Sequence, residues 1–235
     1  IELSIGLQLV DTKDWNVRLN ASYNTNHNKV LSIGNAVPFA IGGFSSRTVQ
    51  TVVAEGEPVG FIRGYKAVLN PDNSLKEILP LQNLGSTLPT AYGNFSLSAS
   101  YKNLSFMLSG DYQYGAYVHS FDRQFRFSKG LKDDAIPEKA LEGLDQGANW
   151  LNFTNFFVEK SDFLKIRNIG IAYDYKPKKY LKSVNLAFNV YNPFAFTASS
   201  VDPEAALAGA RSQGAVAVGG LNYSSYSTPR QYVGT

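Results

Sequence analysis

The sequence predicts an all-β chain: an antiparallel, up-and-down segment of a transmembrane β-barrel, about seven strands of a larger wall. Three observations lead there. Apolar and polar residues alternate with a period of two in successive stretches, which puts one set on each face of a pleated strand. The apolar faces are bordered by aromatic rings, while the opposite faces carry Ser and Asn and few charges. A soluble sheet usually crowds its solvent face with charges; this pattern suits lipid on one side and a wet lumen on the other. Short and long connections also alternate along the chain.

The first stretch, Ile1 to Val10, sets Ile1, Leu3, Ile5, Leu7 and Leu9 against Glu2, Ser4, Gly6 and Gln8. Asp11-Thr12-Lys13-Asp14 is turn chemistry. The return strand sets Trp15, Val17, Leu19, Ala21 and Tyr23 against Asn16, Arg18, Asn20 and Ser22. At roughly 3.3 Å per residue and a tilt near 45°, the two rings stand roughly 19 Å apart, close to the apolar band of an outer-membrane barrel. Asn24 to Gly93 shows no sustained periodicity and reads as a long excursion. It is punctuated by Gly42-Gly43, Glu55-Gly56-Glu57-Pro58 and Asn70-Pro71-Asp72-Asn73.

Asn94 to Tyr114 reads as two strands and a tight turn, with Phe95, Leu97, Ala99 and Tyr101 and then Leu104, Phe106, Leu108, Gly110, Tyr112 and Tyr114 forming the apolar set. Gly115 to Lys160 is a second excursion, in which Ile136 to Leu144 reads as a short helix with Pro137 in its first turn. Ile169, Ile171, Tyr173 and Tyr175 mark the fifth strand. Lys165 and Arg167 share its apolar parity, a conflict that a rim position or a β-bulge resolves. Val184, Leu186, Phe188 and Val190 form the sixth strand, which Asn192-Pro193 is expected to end. A third excursion follows, where Asp202-Pro203-Glu204 is placed to cap a brief Ala-rich helix. Ser227 to Thr235 begins a last strand. The short links follow Val10, Tyr101 and Tyr175, and the long ones follow Tyr23, Tyr114 and Asn192. All short turns therefore fall at one end of the sheet, as in transmembrane barrels.

Composition bounds the function. Charged residues are 17% of the 235 and the net charge is +3, which gives no support for a nucleic-acid partner. There is no cysteine, so disulfide scaffolds and thiolate metal sites are excluded. No apolar run is long enough for a transmembrane helix, which says nothing against strands that alternate. Ile1 begins in mid-pattern, and the chain reads as part of something longer. The two histidines, His27 and His119, have no metal-ligand spacing and are expected to be solvated. Glu55, Glu57, Asp133 and Asp134 lie in loop-like sequence and are expected to be solvated rather than acid/base pairs. The reading is of a non-enzyme with no catalytic, cofactor-binding or metal-binding residue. Substrate or partner contact falls to Tyr117, Arg123, Arg126 and Trp150 in the second excursion, where aromatic faces with guanidinium donors suit sugar rings or peptide backbone.

Ser161-Asp162-Phe163-Leu164-Lys165-Ile166-Arg167-Asn168-Ile169-Gly170-Ile171-Ala172-Tyr173 resembles the S-F-L-R-L-K-N-[IV]-x-L-x-Y segment of SusC/RagA-type TonB-dependent outer-membrane transporters. Val190-Tyr191-Asn192-Pro193-Phe194 resembles their G-Q-N-L-F, with Tyr191 for Gln and Pro193 for Leu. Asp202-Pro203-Glu204 matches D-P-E, and Glu55 to Tyr65 is similar to E-G-x-P-x-G…G-Y. Leu84-Gly85 through Pro89 is similar to L-G-x-x-x-P, and Tyr226 to Arg230 resembles the entry to their final strand. The resemblance implies that residues 1–235 are the C-terminal part of a barrel of about 22 strands, without its plug, its earlier strands and the end of its last one. It further implies a cell outer-membrane importer of oligosaccharides or peptides, a SusD-like surface lipoprotein partner, and TonB acting through the missing plug. The alternative is a soluble β-sandwich carbohydrate-binding or adhesion module, which would bury the apolar face beneath a second layer.

Overall fold

The computed structural model describes residues 1–43, 49–177, 183–202, 204, 220–222 and 226–235. The chain enters through β1 (Glu2–Asp11) and β2 (Trp15–Thr25). The first long connection then folds as β3 (Phe39–Gly43), β4 (Gln50–Val53), β5 (Phe61–Leu69) and β6 (Leu75–Ser86). After β7 (Ala91–Tyr101) and β8 (Leu104–Tyr114), the second connection holds β9 (Tyr117–Ser120), helix α1 (Phe121–Ser128), a 3-10 turn (Glu138–Leu141), α2 (Gln146–Asn149), a 3-10 stretch (Trp150–Phe157) and β10 (Val158–Lys160). The chain finishes through β11 (Phe163–Tyr175), β12 (Val184–Thr197), β13 (Leu221–Asn222) and β14 (Gln231–Gly234).

Seven strands form one open antiparallel sheet in the order β1-β2-β7-β8-β11-β12-β14, so each strand pairs with the next wall strand along the chain. Its register aligns the apolar residues into rows that cross every strand. Leu7 lies opposite Leu19, Leu19 opposite Leu97, Leu97 opposite Leu108, Leu108 opposite Ile169, Ile169 opposite Val190, and Val190 opposite Tyr232. A slip of one residue anywhere would turn a strand's apolar set to the other face, so this uninterrupted row fixes the pairing. Trp15 and Tyr101 close the short-turn end, with ring centroids 4.5 Å apart. No described residue covers the face: Phe106 is 38% and Ile171 48% exposed. Among the described residues every buried Ala, Val, Leu, Ile and Phe lies in the long connections and none in the seven-stranded sheet. The sandwich alternative required a second layer over Leu97, Phe106 and Ile171, and the described residues supply none.

Close approach makes glycine necessary within the wall. A Cβ on Gly93 would overlap the carbonyl oxygen of Ser22 and the hydroxyl of Tyr112. That hydroxyl reaches across Gly93 to donate to Ser22 O at 3.1 Å, tying β8 to β2 over the intervening strand. Gly110 is likewise covered by the Phe95 ring. An aromatic side chain lying over a glycine on a neighbouring strand shields backbone that the glycine leaves bare.

The conflict at Lys165 and Arg167 is resolved by a bulge. The register of β11 shifts between Ile166 and Asn168 against both β8 and β12. Beyond it Leu164 and Ile166 take the apolar face, opposite Tyr112 and Gly110, and Lys165 turns to the polar one. Asn192-Pro193 does not end the sixth strand, contrary to expectation. Asn192 takes a left-handed φ of 51°, the two residues stand opposite Arg167, and pairing resumes from Phe194 to Thr197. Proline is tolerated there because a bulge requires no ladder donor from it.

The other differences lie in the long connections. Residues 24–93 are not structureless but contain the four-stranded sheet β3-β4-β5-β6. Three register irregularities in the β5–β6 pair alone break the period of two that would have announced it. Ile136 to Leu144 forms only the 3-10 turn, and Pro137 caps it rather than entering its first turn. The Ala-rich segment after Glu204 lies outside the described residues.

Candidate functional site

All three long connections leave the same end of the sheet and pack on one another as a cap. Its base is knitted by backbone bonds: Thr90 N to Tyr114 O at 3.0 Å, Ser161 N to Ala116 O at 2.9 Å and Ala198 N to Asp162 O at 2.9 Å. One apolar cluster joins the first connection to the second, with Ala67 against Phe127, Ile136, Phe153 and Phe157. Another joins all three: Val49, Ile62 and Leu84 from the first, Tyr117 and Val158 from the second, and Leu221 from the third. Asn155 acts as a surrogate strand at the edge of β5, accepting from Ala67 N at 2.9 Å and donating to Ala67 O at 3.3 Å.

Helix α1 starts where the Ser120 side chain accepts from Arg123 N, with Asp122 in the first turn and Arg126 in the last, a favourable arrangement for its dipole. It buries Gln124 and Phe127 and leaves Phe125 and Arg126 outside. The four residues expected to make contacts divide accordingly. Tyr117 is structural, packed into the shared cluster with its ring under Gly85. Arg123 is also structural. Its Nε donates to Asp133 Oδ2 at 2.9 Å, its Nη atoms bond Asp133 and Glu159, and its guanidinium lies over the Phe157 ring. Trp150 meets Phe121 edge-on, with centroids 6.3 Å apart. Arg126 is exposed beside the Phe121–Phe125 stack, whose centroids are 5.9 Å apart, and Lys129 covers the far ring at 5.0 Å. Aromatic faces and cations thus come together on the cap, where Phe125, Arg126 and Lys129 are exposed and Trp150 is half-buried.

Sequence reasoning missed the ion pairs behind this surface. Asp133 is not solvated. Burial opposes its ionisation, and the Arg123 guanidinium, the Ala135 N–H and the Arg126 charge together outweigh that, holding the carboxyl below its usual range. Glu159 also accepts from Ser200 Oγ at 2.7 Å, linking the second connection to the third. On the polar side of the wall Lys165, only 4% exposed, donates to Asp202 Oδ1 and Glu204 Oε2, both at 2.6 Å. Arg167 binds Asp111, at 2.8 Å for Nη2–Oδ2, and Glu204. The bulge and the Asp202-Pro203-Glu204 segment therefore belong together: one turns two cations inward and the other supplies their carboxylates.

His119, expected to be solvated, is fully buried in the middle strand of the β10-β9-β13 sheet. Its Nε2 lies 2.6 Å from Gln124 Oε1, and Gln124 Nε2 donates onward to Thr154 Oγ1 at 2.9 Å. Because Gln124 donates through its amide nitrogen, Nε2 is the protonated ring nitrogen, and Nδ1 is left without a partner. Desolvation pushes the imidazole down to about 4, with the Gln124 bond and the Glu159 charge opposing and Arg123 assisting. The folded state holds this histidine below its ordinary value near 6.5, so its stabilisation is complete above that pH and is lost as pH falls toward 4. The cap is expected to lose up to about 3 kcal/mol over that interval. Amide hydrogen exchange at Val118 and Leu221 checks this: protection should fall on acidification and fall less in His119→Gln.

No family model and no curated protein matches the chain. Solved structures do. One chain of the RagAB peptide importer in its open-open state superposes with a TM-score of 0.69 and 19% identity, covering 99% of this chain and 27% of its own length. A chain of the RagAB peptide transporter gives 0.68 and 20%, covering 99% and 28%, and the importer in its closed-closed state gives 0.67 and 19%, covering 99% and 28%. The chain shares the fold of the matched part of these RagAB chains. The likeness in fold covers 99% of this chain. This chain spans little more than a quarter of the RagAB chains it matches.

Proposed function

We propose that this chain is the C-terminal part of the wall and the outer mouth of a TonB-dependent outer-membrane importer of the SusC/RagA type. The observation that carries the reading is the uncovered apolar row from Leu7 to Tyr232, beside a core confined to the cap. Lipid satisfies that face; water does not. The remaining strands would close the open sheet into a barrel of about 22 strands around a plug that engages TonB, since unpaired edges are not tolerated in lipid. The long connections would stand outside the cell. A SusD-like lipoprotein would deliver the cargo, oligopeptides being favoured over oligosaccharides by the likeness to a peptide importer. In the cap, Arg126 and Trp150 with the Phe125 ring would meet cargo or lipoprotein, while Tyr117 and Arg123 would hold the surface they stand on. The role is transport, not catalysis.

These 235 residues contain no cysteine, so once cysteines elsewhere in the transporter are replaced, a label placed here is unique. Spin labels placed at Leu97→Cys and Ser98→Cys in the whole transporter, reconstituted in liposomes, should read opposite environments. Oxygen should reach the first label and a water-soluble nickel chelate the second. Equal nickel access at both positions would end the lipid-facing reading. Uptake of a fluorescent oligopeptide that collapses when TonB is deleted tests the transport assignment separately.

A further inference from the structure

The cap end of the apolar face carries a charge with no counterpart. Arg230 is exposed, precedes β14, and has the parity of Tyr232, whose ring stacks on Phe188 with centroids 6.4 Å apart. Its guanidinium carbon lies 5.8 Å from the centroid of Phe194, and Nη2 donates to Pro193 O. Phe194 and Phe196 are exposed and stacked, with centroids 6.5 Å apart. Lys165, Arg167 and Arg123 are all answered by carboxylates, whereas among the described residues no carboxylate lies within ion-pair range of Arg230. A guanidinium presents five N–H donors in one plane, and Pro193 occupies one of them. Among the described residues the other donors of the Arg230 guanidinium have no protein acceptor. Phe196 also lines a shallow, open groove with Tyr112, Tyr114 and Leu164, whose border carries Gln113, Thr197 and Asp162, the last accepting from Gly115 N at 2.7 Å.

We propose that Arg230, Phe194 and Phe196 bind the phosphate of an anionic membrane lipid, whose chain follows the Tyr112–Phe196 groove; such a site exists only if this face meets hydrocarbon, as proposed above. The position suits the chemistry. A cation at the centre of an apolar wall is costly, whereas one beside the aromatic border reaches the headgroup layer and is attracted to its negative charge. Phosphate accepts from two guanidinium donors at once, which a zwitterionic headgroup with its own ammonium satisfies less well.

The whole transporter, stripped of lipid and reconstituted in phosphatidylcholine nanodiscs with graded phosphatidylglycerol, provides the test by native mass spectrometry. The wild type should retain one more phosphatidylglycerol than Arg230→Gln, whose apparent affinity for that lipid should fall about fivefold. Arg18→Gln, on the polar face, should bind as the wild type does. Equal retention by Arg230→Gln and wild type would overturn the site. The Leu97→Cys spin label separates the two failures. Oxygen access at that label with equal retention removes only the lipid site, whereas nickel access removes the lipid-facing reading and the site together.

Discussion

Lysine in place of Leu97 should destabilise the assembled wall by about 2–4 kcal/mol, whereas lysine in place of Ser96, one residue away, should cost little. Leu97 stands in the middle of a middle strand, between Leu19 and Leu108. A charge there meets hydrocarbon at the depth where it is least tolerated. Ser96 lies between Asn20 and Ser109 on the opposite face, where a long cation finds water and hydroxyls. The comparison isolates the face, since residue type and depth are nearly the same. Guanidinium unfolding of the detergent-folded transporter measures it, as a lower midpoint for Leu97→Lys at unchanged slope. Equal losses at the two positions would mean that both faces are wet.

The second large effect is expected at Lys165. Asp202 is held by that ammonium, and both side chains are nearly excluded from solvent, at 5% and 8% exposure. Removing one partner of a buried pair costs about 3–5 kcal/mol because the other charge is left without compensation. Lys165→Met should fall at the lower end, since Glu204 keeps its bond to Arg167 and is partly exposed. The loss should appear locally, as faster hydrogen exchange at Ala198, where the third connection leaves β12. Lys165→Met combined with Asp202→Leu should recover most of it, because no carboxylate then remains stranded. A single variant as stable as the wild type would show that the ion pair contributes nothing to holding the connection.

The wall was legible in the sequence and the cap was not, for different physical reasons. Lipid demands an apolar residue at every second position along each strand, so Leu3 to Leu9 or Leu104 to Leu108 announce both strand and face. Even the parity conflict at Lys165 carried its own solution. The cap obeys no single period. Its strands β4 and β9 are four residues long, too short for alternation to register, and β5 and β6 are repeatedly bulged. Helix α1 was hidden because Phe121, Arg123, Phe125 and Phe127 mimic a strand; Ser120 and Asp122 before Arg126 were the missed capping signal. Nothing local distinguishes His119 from a surface histidine, because its burial depends on Leu221, Val158 and Gln124 arriving from other segments. The ion pairs were half visible: the cations stood out, and only the fold shows which acids answer them.

Because Leu221, Val49 and Tyr117 share one cluster, the three connections of the cap depend on one another for their packing. Exchanging a single segment with a cousin of different appetite would strand hydrophobic partners on the other two. On the proposed function, a change of specificity is expected to exchange the three as a block or to fall on outward rings such as Phe125.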